Sequence, residues 1–232
     1  MFKTFFYQPL FNLLIIIYQA LPVPDLGLAV IILTLIVKII LSPLTISTFK
    51  SQKILAKIQP RMSEIQKNIK NKEEQTKQIL KLYREEKVNP FSGFLALIVQ
   101  LPILFALYKI FSNGFNIEAM KQISYSFVKA PEIISPLFLN IIDLSKPNIF
   151  LAITAGVLQF FQLKFFQKPV KTKEKGFASD FSKMMQSQML FIFPILIFYI
   201  VFKFGSLIGL YLVVFTIFSI LEQRYIEKKY KL

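Results

Sequence analysis

GLAVIILTLIVKIILSPLTISTF, residues 27–49, holds one formal charge, Lys38, in a run otherwise made of residues such as Ile, Leu, Val and Thr. The run is longer than the roughly 20 residues a helix needs to cross about 30 Å of hydrocarbon, and the lysine falls at its middle. A cation there costs roughly 2.5–3.5 kcal/mol on insertion scales, so it needs a compensating environment or a function. Thr34, Lys38, Ser42, Thr45 and Thr48 follow spacings of three and four and so share one helix face. On the N-terminal side of Thr34 the helix is purely apolar. The stripe covers one half of a bilayer and stops.

The rest of the chain agrees with a membrane setting. It is 54% hydrophobic over 232 residues, and apolar stretches near twenty residues recur at about 27–48, 92–111, 148–166, 187–203 and 206–223. The expected fold is all-α and polytopic, a five-span core. Pro43, Pro102 and Pro194 are expected to kink their helices. Cysteine and histidine are both absent, which excludes disulfides, thiol chemistry, Ser-His catalysis and imidazole metal sites. No GxxxxGK[ST] phosphate loop occurs, so no enzyme, cofactor or metal is expected.

The net charge of +15 sits mainly in segments beside apolar spans. Residues 49–90 hold eleven Lys and Arg, 167–184 five and the tail 222–232 four, whereas 112–146 hold three, balanced by Glu118, Glu132 and Asp143. Positive charge favours the cytoplasmic side. The expected location is therefore the cell membrane, multi-pass, with hairpin 50–90, loop 167–184 and the C-terminus cytoplasmic and loop 112–146 exterior. RNA would also favour such basic loops, so a ribosome is a candidate partner. Lysine outnumbers arginine 25 to 3, as an AT-rich coding bias would produce.

Residues 4–20 admit three readings: an uncleaved sixth span, a signal peptide or an interfacial helix. Thr4, Gln8, Asn12 and Gln19 on one narrow face favour a helix lying on the outer surface, within an N-terminal unit 1–26 preceding the core 27–232. Residues 50–88 are too polar to span. Ile54, Ile58, Ile65, Ile69, Ile79, Leu82 and Tyr83 recur at helical spacing, and Pro60 with the break near Asn71 divides the segment. Asn71 with Glu74 three residues on is a capping signal for the second arm. Such a hairpin is either a solvated connector or an apolar seam that meets incoming chains or a partner.

With that orientation, the polar positions within the spans fall to one side. They are Thr34, Lys38, Ser42 and Thr45 on the first span, Gln100 on the second, Gln159 and Gln162 on the third, Gln188 at the start of the fourth, and Thr216, Ser219 and Gln223 on the fifth. The distribution describes a groove open to the cytoplasm and sealed toward the exterior. A channel needs polar lining across the full thickness. No Asp or Glu reads as well inside a span, so water or a passing anionic group is expected to satisfy Lys38. Taken singly, each glutamine is more often interhelical glue than a functional contact. A translocating tail could rest acidic side chains near Lys38 while its apolar segment leaves into lipid.

In order along the chain, these features resemble the YidC/Oxa membrane-protein insertase family, in its short form without a large exterior domain. The resemblance is carried by Gln8-Pro9-Leu10-Phe11-Asn12-Leu13-Leu14, by Thr34, Lys38, Pro43 and Leu44, and by Gln59-Pro60. It continues through Tyr83-Arg84-Glu85-Glu86-Lys87-Val88-Asn89-Pro90, Gln100-Leu101-Pro102-Ile103 and Ala106-Leu107-Tyr108. It implies a five-helix core, an amphipathic helix on the outer surface, a cytoplasmic hairpin and a groove with a basic residue. It also implies lateral release along the second and fourth spans. Gln162 matches a polar groove position, and Leu212 stands where relatives place an aromatic residue. Lys38 stands where the family commonly has arginine, which keeps the charge and loses the bidentate fork.

The expected function is therefore an insertase/foldase for newly made membrane proteins, working as a monomer on nascent chains among membrane lipids. Ribosome and Sec translocon are further candidate partners, and no small-molecule substrate is expected. Two rivals stand beside it: a small-solute transporter or channel, and a non-catalytic assembly chaperone acting only with a Sec-type translocon.

Overall fold

The computed structural model describes residues 3–89, 92–112, 120, 122–129, 131, 133–166 and 177–229, without the side chains of 92–99, 111, 166 and 177–189. Pro90, Glu118, Lys121, Glu132, loop residues 167–176 and the side chain of Gln188 lie outside the described residues. A π-turn at Lys3–Tyr7 leads into α1 (Gln8–Ala20), followed by α2 (Leu26–Asn68), α3 (Lys72–Glu85) and α4 (Ser92–Ser112). A two-stranded ribbon, β1 (Leu137–Phe138) and β2 (Ile142–Asp143), precedes α5 (Ile149–Phe166), α6 (Phe177–Phe204) and α7 (Ser206–Lys229). The protein is an all-α membrane protein. Helices α2 and α7 are long and apolar enough to cross a bilayer, and Gln100–Ile110, Ile149–Phe165 and Leu190–Phe204 are shorter apolar stretches of α4, α5 and α6. The five apolar segments of the sequence fall on α2, α4, α5, α6 and α7.

Helix α2 has 43 residues and runs without interruption from the bundle into the hairpin. At 1.5 Å per residue it is roughly 64 Å long, about twice the hydrocarbon thickness. Pro60 lies inside it and does not end it. Pro60 and Ala56, whose carbonyl loses its amide donor to the proline ring, are both exposed, so solvent reaches that carbonyl. The division falls at Ile69–Asn71, where Asn71 caps α3 by accepting from Glu73 N at 2.9 Å and Glu74 N at 3.4 Å. Ile58, Leu82 and Val88 are buried between the two arms with Ile54, Leu55, Met62, Ile65 and Tyr83 against them. Much of the apolar seam is thus spent closing the hairpin on itself, and Arg61 bonds Glu86 across it at 2.7 Å.

The polar face of α1 is also used inward. Asn12 is buried, donates to Ile123 O at 3.1 Å and accepts from Tyr125 N at 2.8 Å. Gln19 donates to Lys129 O at 2.7 Å, and Tyr18 accepts from Ser135 N at 3.4 Å. Two of the four stripe residues, Asn12 and Gln19, thus tie α1 to the connection between α4 and α5. Asp25 completes the attachment: Oδ1 caps α2 at Leu28 N (2.9 Å) and Oδ2 accepts from Leu139 N (2.6 Å). Leu139 and Asn140 turn the ribbon within the three-residue loop 139–141, with φ of 50° and 56°, both in the left-handed region that such tight turns use. The ring of Phe138 covers Gly27, where a methyl group would collide with it.

Helices α6 and α7 meet at Gly205 alone, with φ of 103°, a conformation that favours glycine. The first amides of α7 are satisfied by the connection: Ser206 N donates to Lys146 O and Leu207 N to Leu144 O, each at 3.2 Å. Buried apolar residues on α1, the first part of α2, α4, α5, α6 and the first part of α7 form one core, from Leu14, Val30 and Leu33 to Leu107, Val201 and Ile208.

Replacing Asp25 with Ala removes a helix cap and a loop anchor together, and caps are worth about 0.5–2 kcal/mol. Hydrogen exchange at Leu28 and Leu139 should accelerate together while the amides of α3 keep their protection.

Candidate functional site

Lys38 and Glu222 form a buried ion pair joining α2 to α7. Lys38 Nζ lies 3.2 Å from Glu222 Oε2, and the two side chains are 3% and 5% exposed. Ser42, one turn along α2, donates to Glu222 Oε1 at 2.6 Å. Lys38 Nζ also stands 4.2 Å from the ring centroid of Phe215 and 5.7 Å from that of Phe218. Aromatic faces attract a desolvated ammonium. An acid therefore sits on the lysine within the bundle, which corrects the expectation that none would.

The signal for Glu222 was present in the sequence. It lies three residues after Ser219, on the face that carries Thr216, Ser219 and Gln223, at the edge of the fifth apolar run where span and basic tail overlap. Tyr211 was missed for another reason: a tyrosine in an apolar run reads as core. Its hydroxyl accepts from Gln100 Nε2 at 2.5 Å and so ties α4 to α7.

Beside the ion pair lies a cavity of about 100 Å³. Lys38, Thr45, Gln100, Gln162 and Ser219 form its polar wall, continued by Thr48 and Gln52, with Leu41, Leu44, Phe49 and Phe215 between them. A water needs about 10–15 Å³ and two to four polar partners, so the space suits several waters or a polar chain segment. Two acceptors in this wall, Gln100 Oε1 and Thr48 Oγ1, are buried without a hydrogen-bond partner. Groups left in that state cost about 1–3 kcal/mol each, which polar contents would relieve.

The hydroxyls of Thr34, Thr45 and Ser219 each donate back to their own helix, to Val30 O (2.6 Å), Leu41 O (3.2 Å) and Phe215 O (2.7 Å). They line or approach the site without demanding water of their own. Thr34 and Thr216 are buried and stand outside the cavity wall, Gln159 is half-buried and also outside it, and Ser42 joins the site through Glu222. Leu212 is buried in the apolar core. The cavity lies on the hairpin-facing half of the bundle, since its α2 wall runs from Lys38 to Gln52 toward the hairpin arm. The opposite half is closed by Val30, Leu33, Leu107 and Ile208.

A helical membrane protein with a charge pair beside a one-sided polar cavity defines the class. The chain belongs to the 60Kd inner membrane protein family, whose description matches residues 16–232. It is 33% identical over 224 residues to a protein of Geobacter metallireducens, covering 95% of this chain and 36% of that one. It is 35% identical to one from Clostridium tetani, covering 72% and 69%, and 32% identical to one from Fusobacterium nucleatum, covering 89% and 88%. All three relatives are named membrane protein insertase YidC. The chain thus spans about a third of the first relative's length and most of the other two.

Removing one partner of a buried pair leaves an uncompensated charge, at about 3–5 kcal/mol, whereas replacing both with apolar groups is often neutral. Lys38→Met and Glu222→Leu alone should each lower the melting temperature in detergent, and the double variant should recover most of the loss. Additive single effects would remove the pair as the link between α2 and α7.

Proposed function

We propose that the protein is a membrane protein insertase/foldase, and that the cavity beside Lys38 is the inner end of a groove receiving polar segments of newly made membrane proteins. The observation that carries this reading is the one-sided cavity. A cation, three amide side chains and two unpaired acceptors meet in the half of the bundle that continues into the hairpin, while apolar packing fills the other half. The names of the relatives support the same activity.

In this reading the hairpin, the 167–184 loop and the C-terminal tail face the cytoplasm, as their Lys and Arg content favours. The groove shortens the hydrophobic path, so a polar tail crosses little more than the outer leaflet while Lys38 attracts its acidic side chains. The apolar segment leaves sideways between α4 and α6, whose Leu101, Phe105, Phe191 and Ile195 are exposed on the bundle surface. The chain works as a monomer on nascent chains within the lipid, and its basic hairpin and tail offer a ribosome contact. The N-terminal unit 1–26 braces the exterior connection against the core 27–232.

Lys38→Glu should abolish insertion of single-span substrates with acidic translocated tails in proteoliposomes holding the purified protein, while Lys38→Arg preserves it. Insertion that needs an added Sec-type translocon would favour the assembly-chaperone reading, and solute flux without substrate would favour a transporter. The chain has no cysteine. Gln162→Cys and Ser219→Cys should therefore react with an impermeant thiol reagent added on the hairpin side, and Leu33→Cys should not. Labelling from the other side would remove the one-sided groove.

A further inference from the structure

The function above uses Lys38 and leaves its partner unexplained. Glu222 holds the lysine with one oxygen and Ser42 with the other, so an incoming acidic side chain meets a cation that already has a carboxylate. Resting on the groove reading, we infer that Glu222 is a resident specificity-determining carboxylate, which a substrate's acidic side chain must displace from Lys38.

Three features make exchange feasible. The cavity adjoining Lys38 is about 100 Å³, room enough for a carboxyl group and a few waters. The incoming group replaces one carboxylate by another, so the net charge of the buried site is unchanged, and the Phe215 ring, 4.2 Å from the ammonium, belongs to neither carboxylate. Glu222 itself lies in the last two turns of α7, which ends at Lys229, on the hairpin side of the cavity. Once released it has a short path toward that end of the helix. The cavity wall supplies hydrogen-bonding groups for the newcomer in Thr45, Gln162 and Ser219.

The consequence is a threshold. A neutral tail offers nothing to exchange and leaves the pair closed, whereas an acidic tail competes with Glu222 for the same ammonium. Removing the resident carboxylate should therefore raise preference for acidic tails. A pair that merely braces α2 against α7 would change insertion of every substrate alike.

The test uses the full chain in proteoliposomes and two single-span substrates differing in Asp or Asn at one tail position. Glu222→Gln should raise the acidic-to-neutral insertion ratio several-fold. An unchanged ratio, with or without a fall in total insertion, overturns the inference. If Glu222→Gln does not accumulate, Glu222→Asp carries the test. It keeps the charge but is one methylene too short to hold Lys38 and Ser42 together, so its ratio should lie above wild type, and a wild-type ratio overturns the inference equally. Lys38→Gln in parallel separates the two failures. If it inserts acidic tails as wild type does, the groove reading itself fails; if it loses them while both Glu222 variants keep the wild-type ratio, only the resident carboxylate is lost.

Discussion

A lysine held in the interior of a membrane helix bundle sets the terms for everything around it. Taking an ammonium and a carboxylate out of water costs several kcal/mol for each ion, and their attraction offsets this only when geometry is good and the remaining lone pairs are satisfied. The pair of Lys38 and Glu222 meets those conditions through Ser42 on the second oxygen and the Phe215 ring beside the ammonium. Its partners come from α2 and α7, early and late in the chain, so the site exists only when the bundle is closed. A polar cavity then follows at little extra cost, because the pair already interrupts the apolar packing there.

Helix α2 carries that constraint outward. One unbroken helix holds Thr34 and Lys38 in the bundle, Thr48 and Gln52 at the cavity's far end, and Ile58 against Leu82 in the hairpin. The hairpin and the wall of the cavity are thus parts of one continuous helix, with Pro43 and Pro60 inside it. A second ion pair, Lys53 to Glu227 at 3.8 Å, repeats the α2–α7 link nearer the hairpin. It is more exposed than the first, and exposed pairs contribute little, so the bundle is held more loosely there than at Lys38.

The sequence disclosed features whose signal is local and periodic. The apolar runs located α2, α4, α5, α6 and α7, the three-and-four spacing along α2 located Lys38, Thr45 and Thr48 on one wall of the cavity, and Asn71 located a helix start. Gln100, Gln162 and Ser219 were brought to that wall by packing, as their depth suggested. What remained hidden depends on contacts between distant positions. Periodicity cannot say that Gln100 meets Tyr211, nor that the amides of Leu28 and Leu139 share Asp25. The α1 stripe shows the same ambiguity: four polar residues on one face fit water or a headgroup layer, and equally fit the backbone of a folded connection. Asn12 took the second course because residues 120–125 supply donors and acceptors at the right place. Glu222 was hidden by its address, since a residue at the edge of a span counts as loop in a tally of charge and as lining in three dimensions.

The two halves of the bundle serve opposite needs, and their chemistry differs accordingly. Around Gly205 and Gly27 the chain turns sharply or packs backbone against a ring, and the connection between α4 and α5 is tied by side chains to the middle and the C-terminal end of α1 and to the start of α2. Such bonds fix a lid whose buried polar groups, Asn12 and Asp25 among them, are hydrogen-bonded within it. Toward the hairpin, among the described residues, two acceptors stay unpaired and the cavity opens beside the ion pair. In the proposed groove reading, the first half keeps the membrane barrier and the second takes up polar contents. Moving the ion pair one turn toward Thr34 would place it among Val30, Leu33 and Leu107, which belong to the apolar core. The depth of Lys38 is therefore set by where the apolar lid ends.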